Sequence, residues 1–364
     1  MVLETSEITH RQQELVVVGT GTIKGESVVT RGHIYLFSVA EVVPRPGVSE
    51  SDLKLKLLSS EEVRGAVTTL SPVGSQGFVL AAQGQKTMVR GLREDLSILP
   101  VAFMDMRFHT SISKSPTGTG LCILGDAFSG LWLIGYSEEP YKMQLLSRDL
   151  ENPSISAADF LPSEDNKELF VIASDGDGEL RFLQYDPENP KSERGEKLLL
   201  RSTFHTGDLP TTMTLLPRTS TSYEAPPTSN NIDASSPRSS EVMHVDSPVV
   251  RPKAQLLITH SSGAIALITT LDEPAYRRLT ALQNILISNM DQPCGLNPRA
   301  YRVVETDGMG GRGVIDGNVV KRWLDLNSHH KANTADKAGA RAVWDVRGDL
   351  EVVLGLGGGM AFMA

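Results

Sequence analysis

Pairs of apolar runs joined by short glycine turns recur along the chain, and each pair predicts a β-hairpin. Leu15–Gly19 leads through Arg31-Gly32 into His33–Phe37, and Phe78–Ala81 leads through Gln83-Gly84 into Lys86–Val89. Leu121–Leu124 runs through Ser129-Gly130 into Leu131–Ile134, and Leu169–Ile172 through Asp177-Gly178 into Leu180–Leu183. The fifth pair is Leu256–Ile258 and Ala264–Leu267, joined at Ser262-Gly263. The turn glycines stand 52, 46, 48 and 85 residues apart. Within the last interval lies Thr219–Pro252, where 16 of 34 residues are Ser, Thr or Pro; without that stretch the interval is 51. So little apolar surface cannot offset the entropy of ordering, which predicts a disordered surface loop, residues 219–252, between two strands of one unit.

Further strand-like runs flank the hairpins. Ala66–Leu70, Ile155–Phe160 and Thr212–Leu215 precede them, and Lys54–Leu58, Tyr141–Leu146 and Lys197–Leu200 follow. Three or four strands per unit of about 45–50 residues is the layout of a propeller blade, a small sheet that buries its faces only against its neighbours. A β-sandwich has similar hairpins but does not usually hold so regular a long period. The expected fold is therefore mainly β: about five blade units of a WD40-like, partial β-propeller over residues 1–270.

Beyond residue 271 the apolar period changes from two to that of a helix. Asp272 or Glu273 suits a cap and Pro274 the first turn, with Ala275, Leu279, Leu282, Leu286 and Met290 as the buried stripe. A second helix is expected from Asp316, burying Ile315, Val319, Val320, Trp323 and Leu326. A third spans about Ala335–Leu354 and ends in the glycine cluster Gly355–Gly359. Residues 271–364 thus read as a small α-helical C-terminal domain.

Composition narrows the chemistry. A net charge of −9 argues against a broad electrostatic grip on phosphate backbones. Met1–Arg11 holds no apolar leader core, and no later run approaches the roughly 18 apolar residues of a membrane span, which predicts a soluble chain with no membrane partner. Cys122 and Cys294 have no metal-type spacing and read as buried small hydrophobes in a reducing compartment. Gly308-Met309-Gly310-Gly311-Arg312-Gly313 satisfies a dinucleotide-type glycine pattern after a strand-like run, Ala300–Val304. That site also needs a parallel βαβ unit, which a hairpin-dominated chain lacks, so a loop is expected. Asp175–Glu179 resembles the opening of a calcium loop, but its place in the hairpin series predicts a turn. The eight histidines form no helical metal pair, His205 reads as structural, and neither catalytic constellation nor cofactor site is expected. Ser236-Pro237 and Ser247-Pro248, in the inserted stretch, have the pattern of proline-directed phosphorylation sites.

Several stretches carry a family resemblance. Gly32-His33-Ile34-Tyr35-Leu36-Phe37-Ser38-Val39, Glu41–Pro44, Leu146-Ser147-Arg148-Asp149, Phe204-His205-Thr206-Gly207 and Tyr276-Arg277-Arg278-Leu279 are similar to the carboxy-terminal region of the cleavage and polyadenylation specificity factor A-subunit family. Leu282-Gln283-Asn284, Leu296-Asn297-Pro298-Arg299-Ala300-Tyr301-Arg302 and Val314-Ile315-Asp316-Gly317 continue the match from about residue 5 to 330. The stretch from Leu296 to Arg302 and the Tyr276-Arg277-Arg278 helix start most resemble the polyadenylation branch, in a fungal version. Paralogous branches are the large subunit of the damaged-DNA-binding, ubiquitin-ligase adaptor complex and a splicing factor 3b subunit.

The resemblance implies a nuclear, non-catalytic scaffold in pre-mRNA 3′-end cleavage and polyadenylation, without a cofactor. Its implied partners are WD40-repeat and zinc-finger subunits, with pre-mRNA contacted directly or through them. It also implies three propellers in a longer chain, the last of seven blades, so that about five units here would leave an open sheet edge. The side chains expected to shape a partner platform are Tyr276, Arg277, Arg278, Asn297, Arg299 and Arg302. The same side chains suit intramolecular ion pairs and caps equally well.

Overall fold

The computed structural model describes residues 2–4, 14–22, 25, 30–42, 52–93, 95–116, 118–163, 168–217, 254–292, 295–302 and 313–354. Two compact units make up the chain. One comprises Met1–Thr214, Leu257–Ala266 and Arg302–Gly313; the other comprises Leu215–Leu256, Leu267–Tyr301 and Val314–Ala364.

Four four-stranded antiparallel sheets fill the first unit, each built from strands consecutive in sequence and paired in that order. The first holds β1 (Val2–Glu4), β2 (Glu14–Gly19), β3 (Arg31–Val42) and β4 (Asp52–Arg64). The second holds β5 (Val67–Val73), β6 (Phe78–Gln83), β7 (Lys86–Leu92) and β8 (Ile98–Asp105). β9 (Thr110–Lys114), β10 (Leu121–Asp126), β11 (Gly130–Glu138) and β12 (Tyr141–Arg148) form the third. The fourth is β13 (Ile155–Pro162), β14 (Leu169–Asp175), β15 (Glu179–Gln184) and β16 (Leu199–His205). A fifth sheet has three strands, β17 (Pro210–Pro217), β18 (Ala254–His260) and β19 (Ile265–Thr269).

Side-chain alternation explains how the sheets stack. In β10 and β11, Cys122, Leu124, Trp132, Ile134 and Tyr136 point to one face and pack with Val73, Phe78, Leu80 and Val89 of the second sheet. Ile123, Leu131 and Leu133 point to the other and pack with Ile155, Phe160, Val171 and Leu183 of the fourth. A sheet covered on both sides reads as a continuous apolar run, as Leu121–Leu124 and Leu131–Ile134 do. The first and second sheets meet through Leu15, Val17, Ile34, Leu36, Val79 and Ala81. Each fully buried Leu, Ile or Val contributes roughly 1.5–3 kcal/mol of apolar transfer energy.

The first strands of the second, third and fourth sheets, β5, β9 and β13, lie side by side. Thr68 Oγ1 of β5 donates to the Thr110 carbonyl of β9 at 2.5 Å, and Thr69 Oγ1 lies 2.8 Å from Ser113 Oγ. Lys114 Nζ stands 3.6 Å from Asp159 Oδ2 on β13 and donates to the Met213 carbonyl at 3.0 Å. The pairing of third with fourth strand also repeats one irregularity, a β-bulge at Leu36/Phe37, Val89/Arg90, Leu133/Ile134 and Phe182/Leu183. One extra residue at the same place in each unit adds the same local twist. The result is a partial β-propeller accompanied by a small helical region.

Gly84, Gly130, Gly178 and Gly263 adopt φ of 58°, 73°, 79° and 86° at the hairpin turns, as the repeat predicts. Gly32 is a correction: it lies inside β3, not in a turn, and a Cβ there would collide with the Thr20 and Gly65 carbonyls. Its glycine serves close backbone approach. Asp175 Oδ1 accepts from the N–H groups of Asp177 and Glu179, each at 3.0 Å, so that carboxylate closes the β14–β15 turn. Cys122 is wholly buried, and burial pushes its thiol pKa up to about 11. The stretch 219–252 with Ser236 and Ser247, Cys294, Gly308–Arg312 and Gly355–Gly359 lie outside the described residues.

In the second unit α1 spans Glu273–Asn289, with the Asp272 carboxylate accepting from Ala275 N at 3.0 Å and Pro274 in the first turn. Ala275, Leu279, Leu282 and Leu286 are buried as predicted, while Met290 is the extended cap residue. The strand expected over Ala300–Val304 is replaced, where described, by α2 (Pro298–Tyr301). Asn297 Oδ1 accepts from Arg299 N at 3.0 Å with proline next to it, and this local capping signal outweighs the β-favouring residues. Asp316 caps α3 (Gly317–Lys321), which tightens into a 3-10 turn over Arg322–Asp325. The helix expected over about Ala335–Leu354 is interrupted: its start is the last turn of α4 (Ser328–Lys337), which begins earlier than expected, and its remainder is α5 (Val343–Val353). Gly339, at φ 78°, ends α4, and Asp345 Oδ2 accepts from Arg341 N and Ala342 N to start α5.

Gly348 sits inside α5, and an added Cβ would meet nothing within 4 Å. Gly348→Ala should therefore stabilise the helical unit by about 0.5–1 kcal/mol in urea unfolding, since glycine loses more backbone entropy on folding. A destabilisation would place a neighbour where the structure has open space.

Candidate functional site

Helix α1 positions most of the polar side chains marked out by the sequence. Its buried stripe leaves Glu273, Arg277, Asn284 and Ser288 exposed on the opposite face, at helical spacing. Arg277 donates to Glu273 one turn earlier. Both side chains are exposed, and such a pair is worth only a few tenths of a kcal/mol, so the guanidinium is loosely held. Arg299 on α2 donates to Asn284 Oδ1 at 2.7 Å, which brings a second cation onto the exposed face of α1.

Arg278 does something different. Its Nε and Nη2 donate to the two Asp349 oxygens of α5 at 2.7 and 2.8 Å, a bidentate tie across the helical unit. Burial raises the Asp349 pKa against the pull of Arg278, while hydrogen bonding to Asp349 raises that of Arg278. The cost of burial thus falls on the carboxylate, the less exposed partner at 12% against 28%.

Arg278→Met should cost roughly 1–3 kcal/mol, below the about 3–5 kcal/mol of a fully buried broken pair because Arg278 is partly exposed. The loss should shrink on acidification. Without Arg278 nothing offsets the effect of burial on Asp349, so its carboxyl binds a proton more tightly in the folded variant than in the folded parent, and lowering the pH towards the unfolded value of about 4 favours the variant more. Urea titrations at neutral pH and near pH 5 measure this; an equal deficit at both would contradict it.

The remaining positions are caps and clasps. Asn297 caps α2, and Tyr276, half-buried, donates its backbone N–H to the Asp272 carbonyl at 2.9 Å. Arg302 belongs to the first unit and the other five residues to the second. Its Nη1 donates to the His205 and Thr206 carbonyls at 3.0 and 2.6 Å, and its guanidinium lies 5.0 Å from the Phe204 ring centroid. His205 N in turn donates to the Arg302 carbonyl at 3.1 Å. Phe204–Gly207 and Arg302, both noted in the sequence, meet in this clasp within the first unit.

Two residues outside the expected platform stand out: Asn284, which receives Arg299, and Trp344, 57% exposed on α5 with the Arg347 guanidinium 5.1 Å from its ring. Among the described residues no group of three or more His, Cys, Asp or Glu side chains could hold a metal ion. No helix among them is long and apolar enough to cross a membrane. The surface of α1 and α2 can present cations and amides to a partner; the ion pairs beneath it hold the helices together.

Comparison with known proteins gives this surface a context. A family described as the CPSF A subunit region matches residues 1–325. The protein cft1 of Aspergillus clavatus is 51% identical over 98% of this chain and 24% of its own length. That of Neurospora crassa is 44% identical over 93% of this chain and 22% of its own. The Schizosaccharomyces pombe cft1 is 34% identical, with 93% and 22% covered. The chain spans about a quarter of the length of the relatives it matches.

Proposed function

The chain belongs to the CPSF A subunit family, and from that premise we propose that it is a non-catalytic scaffold piece of the nuclear machinery that cleaves and polyadenylates pre-mRNA. The family match over residues 1–325 carries this reading. The fold supports it physically. Sheets locked face to face form a rigid base, and the loops between strands and the exposed face of α1 can display contacts without any moving part.

The implied partners are the WD40-repeat and zinc-finger subunits of that complex, with pre-mRNA reached mainly through them. The net charge of −9 favours indirect contact over a direct grip on phosphates. Arg277, Arg299 and Asn284 are the residues proposed to face a partner; Arg278 and Arg302 are assigned to holding the fold.

Affinity purification of the full-length native protein from nuclear extract tests this. The expected co-purifying set contains 3′-processing subunits and RNA bearing a polyadenylation signal. Recovery instead with ubiquitin-ligase or splicing factor 3b subunits would reject it. Arg277→Glu with Arg299→Glu should reduce partner recovery at least about fivefold while thermal unfolding stays near the parent value, because exposed charges add little to stability.

A further inference from the structure

The β8–β9 connection and the β10–β11 turn each place a phenyl ring in solvent. Phe108 is 44% and Phe128 66% exposed, and their rings meet edge to face with centroids 5.3 Å apart. Leaving such rings in water forgoes the apolar burial that dominates folding, so a paired exposure calls for a reason. The backbone beneath the rings is tightly fixed. Asp126, wholly buried, accepts from Phe108 N at 3.0 Å through Oδ2, and from Phe128 N and Ser129 N at 3.1 Å through Oδ1. Ala127 N adds a bond to the His109 carbonyl at 3.1 Å. One buried carboxylate thus clips two loops together under both rings.

The surroundings say what kind of partner fits. Arg107 and His109 flank Phe108 and are exposed, and Arg107 makes no ion pair among the described residues. The nearest acid along the chain, Asp105, is occupied by Lys86 at 3.4 Å. In a chain of net charge −9, Arg107 thus sets one exposed cation without an ion pair beside the two rings. We infer that the Phe108–Phe128 pair anchors a segment of another protein that sets apolar side chains beside Asp or Glu. An aromatic anchor on a fixed backbone beside a complementary charge is a usual composition of an interface hot spot. A single-stranded nucleic acid fits less well: edge-to-face rings offer fewer parallel stacking faces, and one Arg with one His is a short track for phosphates. This inference does not depend on the family reading.

The test uses a displayed library of random 12-residue peptides, selected on the full 364-residue chain and counter-selected on its F108S/F128S variant. Enriched peptides should combine Leu, Ile, Phe or Trp with Asp or Glu. The best of them, measured by fluorescence anisotropy, should lose at least about tenfold in affinity on Phe128→Ser. Arg107→Glu should switch the preference towards lysine-bearing peptides. Both rings are exposed, so circular dichroism and thermal unfolding of the variants should match the parent. Failure to enrich, peptides that bind the double variant equally, enrichment without acidic residues, or an oligouridylate held by the same rings would each overturn the assignment.

Discussion

Trp323→Ala is expected to destabilise the helical unit by about 3–5 kcal/mol, the range for removing a buried aromatic side chain from a packed core. The indole is 1% exposed and shares a cluster with Leu279, Leu282, Val320, Val346 and Leu350, side chains from α1, α3 and α5. Its Nε1 donates to Thr334 Oγ1 of α4 at 2.8 Å, so one residue ties four helices. Truncation leaves a cavity that these helices can close only by moving together. Thr334 keeps other partners, since its hydroxyl also reaches the His330 and Lys331 carbonyls. Most of the loss should therefore come from packing. Trp323→Phe separates the contributions: it keeps most ring contacts and should cost clearly less than alanine. Urea unfolding followed at 222 nm reads the helices directly. A loss below about 1 kcal/mol would mean that the 3-10 turn is not at the centre of this core.

Arg181→Met should be comparably damaging in the β unit. Arg181, on β15 of the fourth sheet, is 7% exposed and donates to Glu151. Its Nε lies 3.4 Å from Asp149 Oδ2, in the segment that leaves the third sheet. Burial raises the Asp149 pKa even with Arg181 beside it. Burial also works to lower the Arg181 pKa, but the Asp149 charge and the Glu151 hydrogen bond raise it on balance. Removing the arginine strands a carboxylate that is 3% exposed, a change that costs about 3–5 kcal/mol when a buried pair loses one member. Asp149→Leu in the Arg181→Met background should restore much of that loss, because an apolar replacement of a whole buried pair is often tolerated. No restoration would show that Arg181 acts through packing of its stem and not through charge. A similar arrangement occurs between the first two sheets, where buried Arg90 of β7 meets Glu61 of β4 at 2.6 Å.

The blade repeat was legible because the middle sheets are covered on both faces and read as unbroken apolar runs. Helix α1 was legible for a local reason, an Asp cap and a proline ahead of a regular stripe. Three strands escaped. β1, Val2–Glu4, is only three residues long. β9 has one apolar residue, Ile112, in Thr110–Lys114, and β8 carries Pro100, which an outer strand tolerates. Gly32 was misplaced because a glycine needed for close approach looks in sequence like one needed for a turn. The break between α4 and α5 was hidden because apolar spacing continues across Gly339 and only its positive φ stops the helix.

The polar surface was harder to read. Arg278 and Arg277 are adjacent and alike in sequence, yet one is tied to Asp349 and the other only to an exposed Glu273. Partners of Arg278 and Arg302 lie 71 and more than 90 residues away, a separation at which composition and local spacing say nothing. Exposure of Phe108 and Phe128 is likewise a property of where two loops end. Leu53 and Leu55, 64% and 61% exposed on β4, show the same limit: their alternation marks a strand but not whether anything covers it.

In a propeller the blades are arrayed so that their first strands run side by side, as β5, β9 and β13 do here. Cysteines introduced by Thr69→Cys and Ser113→Cys, where the native oxygens are 2.8 Å apart, test that placement across two sheets. On mild oxidation the double variant should lose two hydrogens, and mass spectrometry should find the tryptic peptides from β5 and β9 joined, with neither single variant doing so. A double variant that stays reduced, or that links only to Cys122 or between molecules, would contradict it.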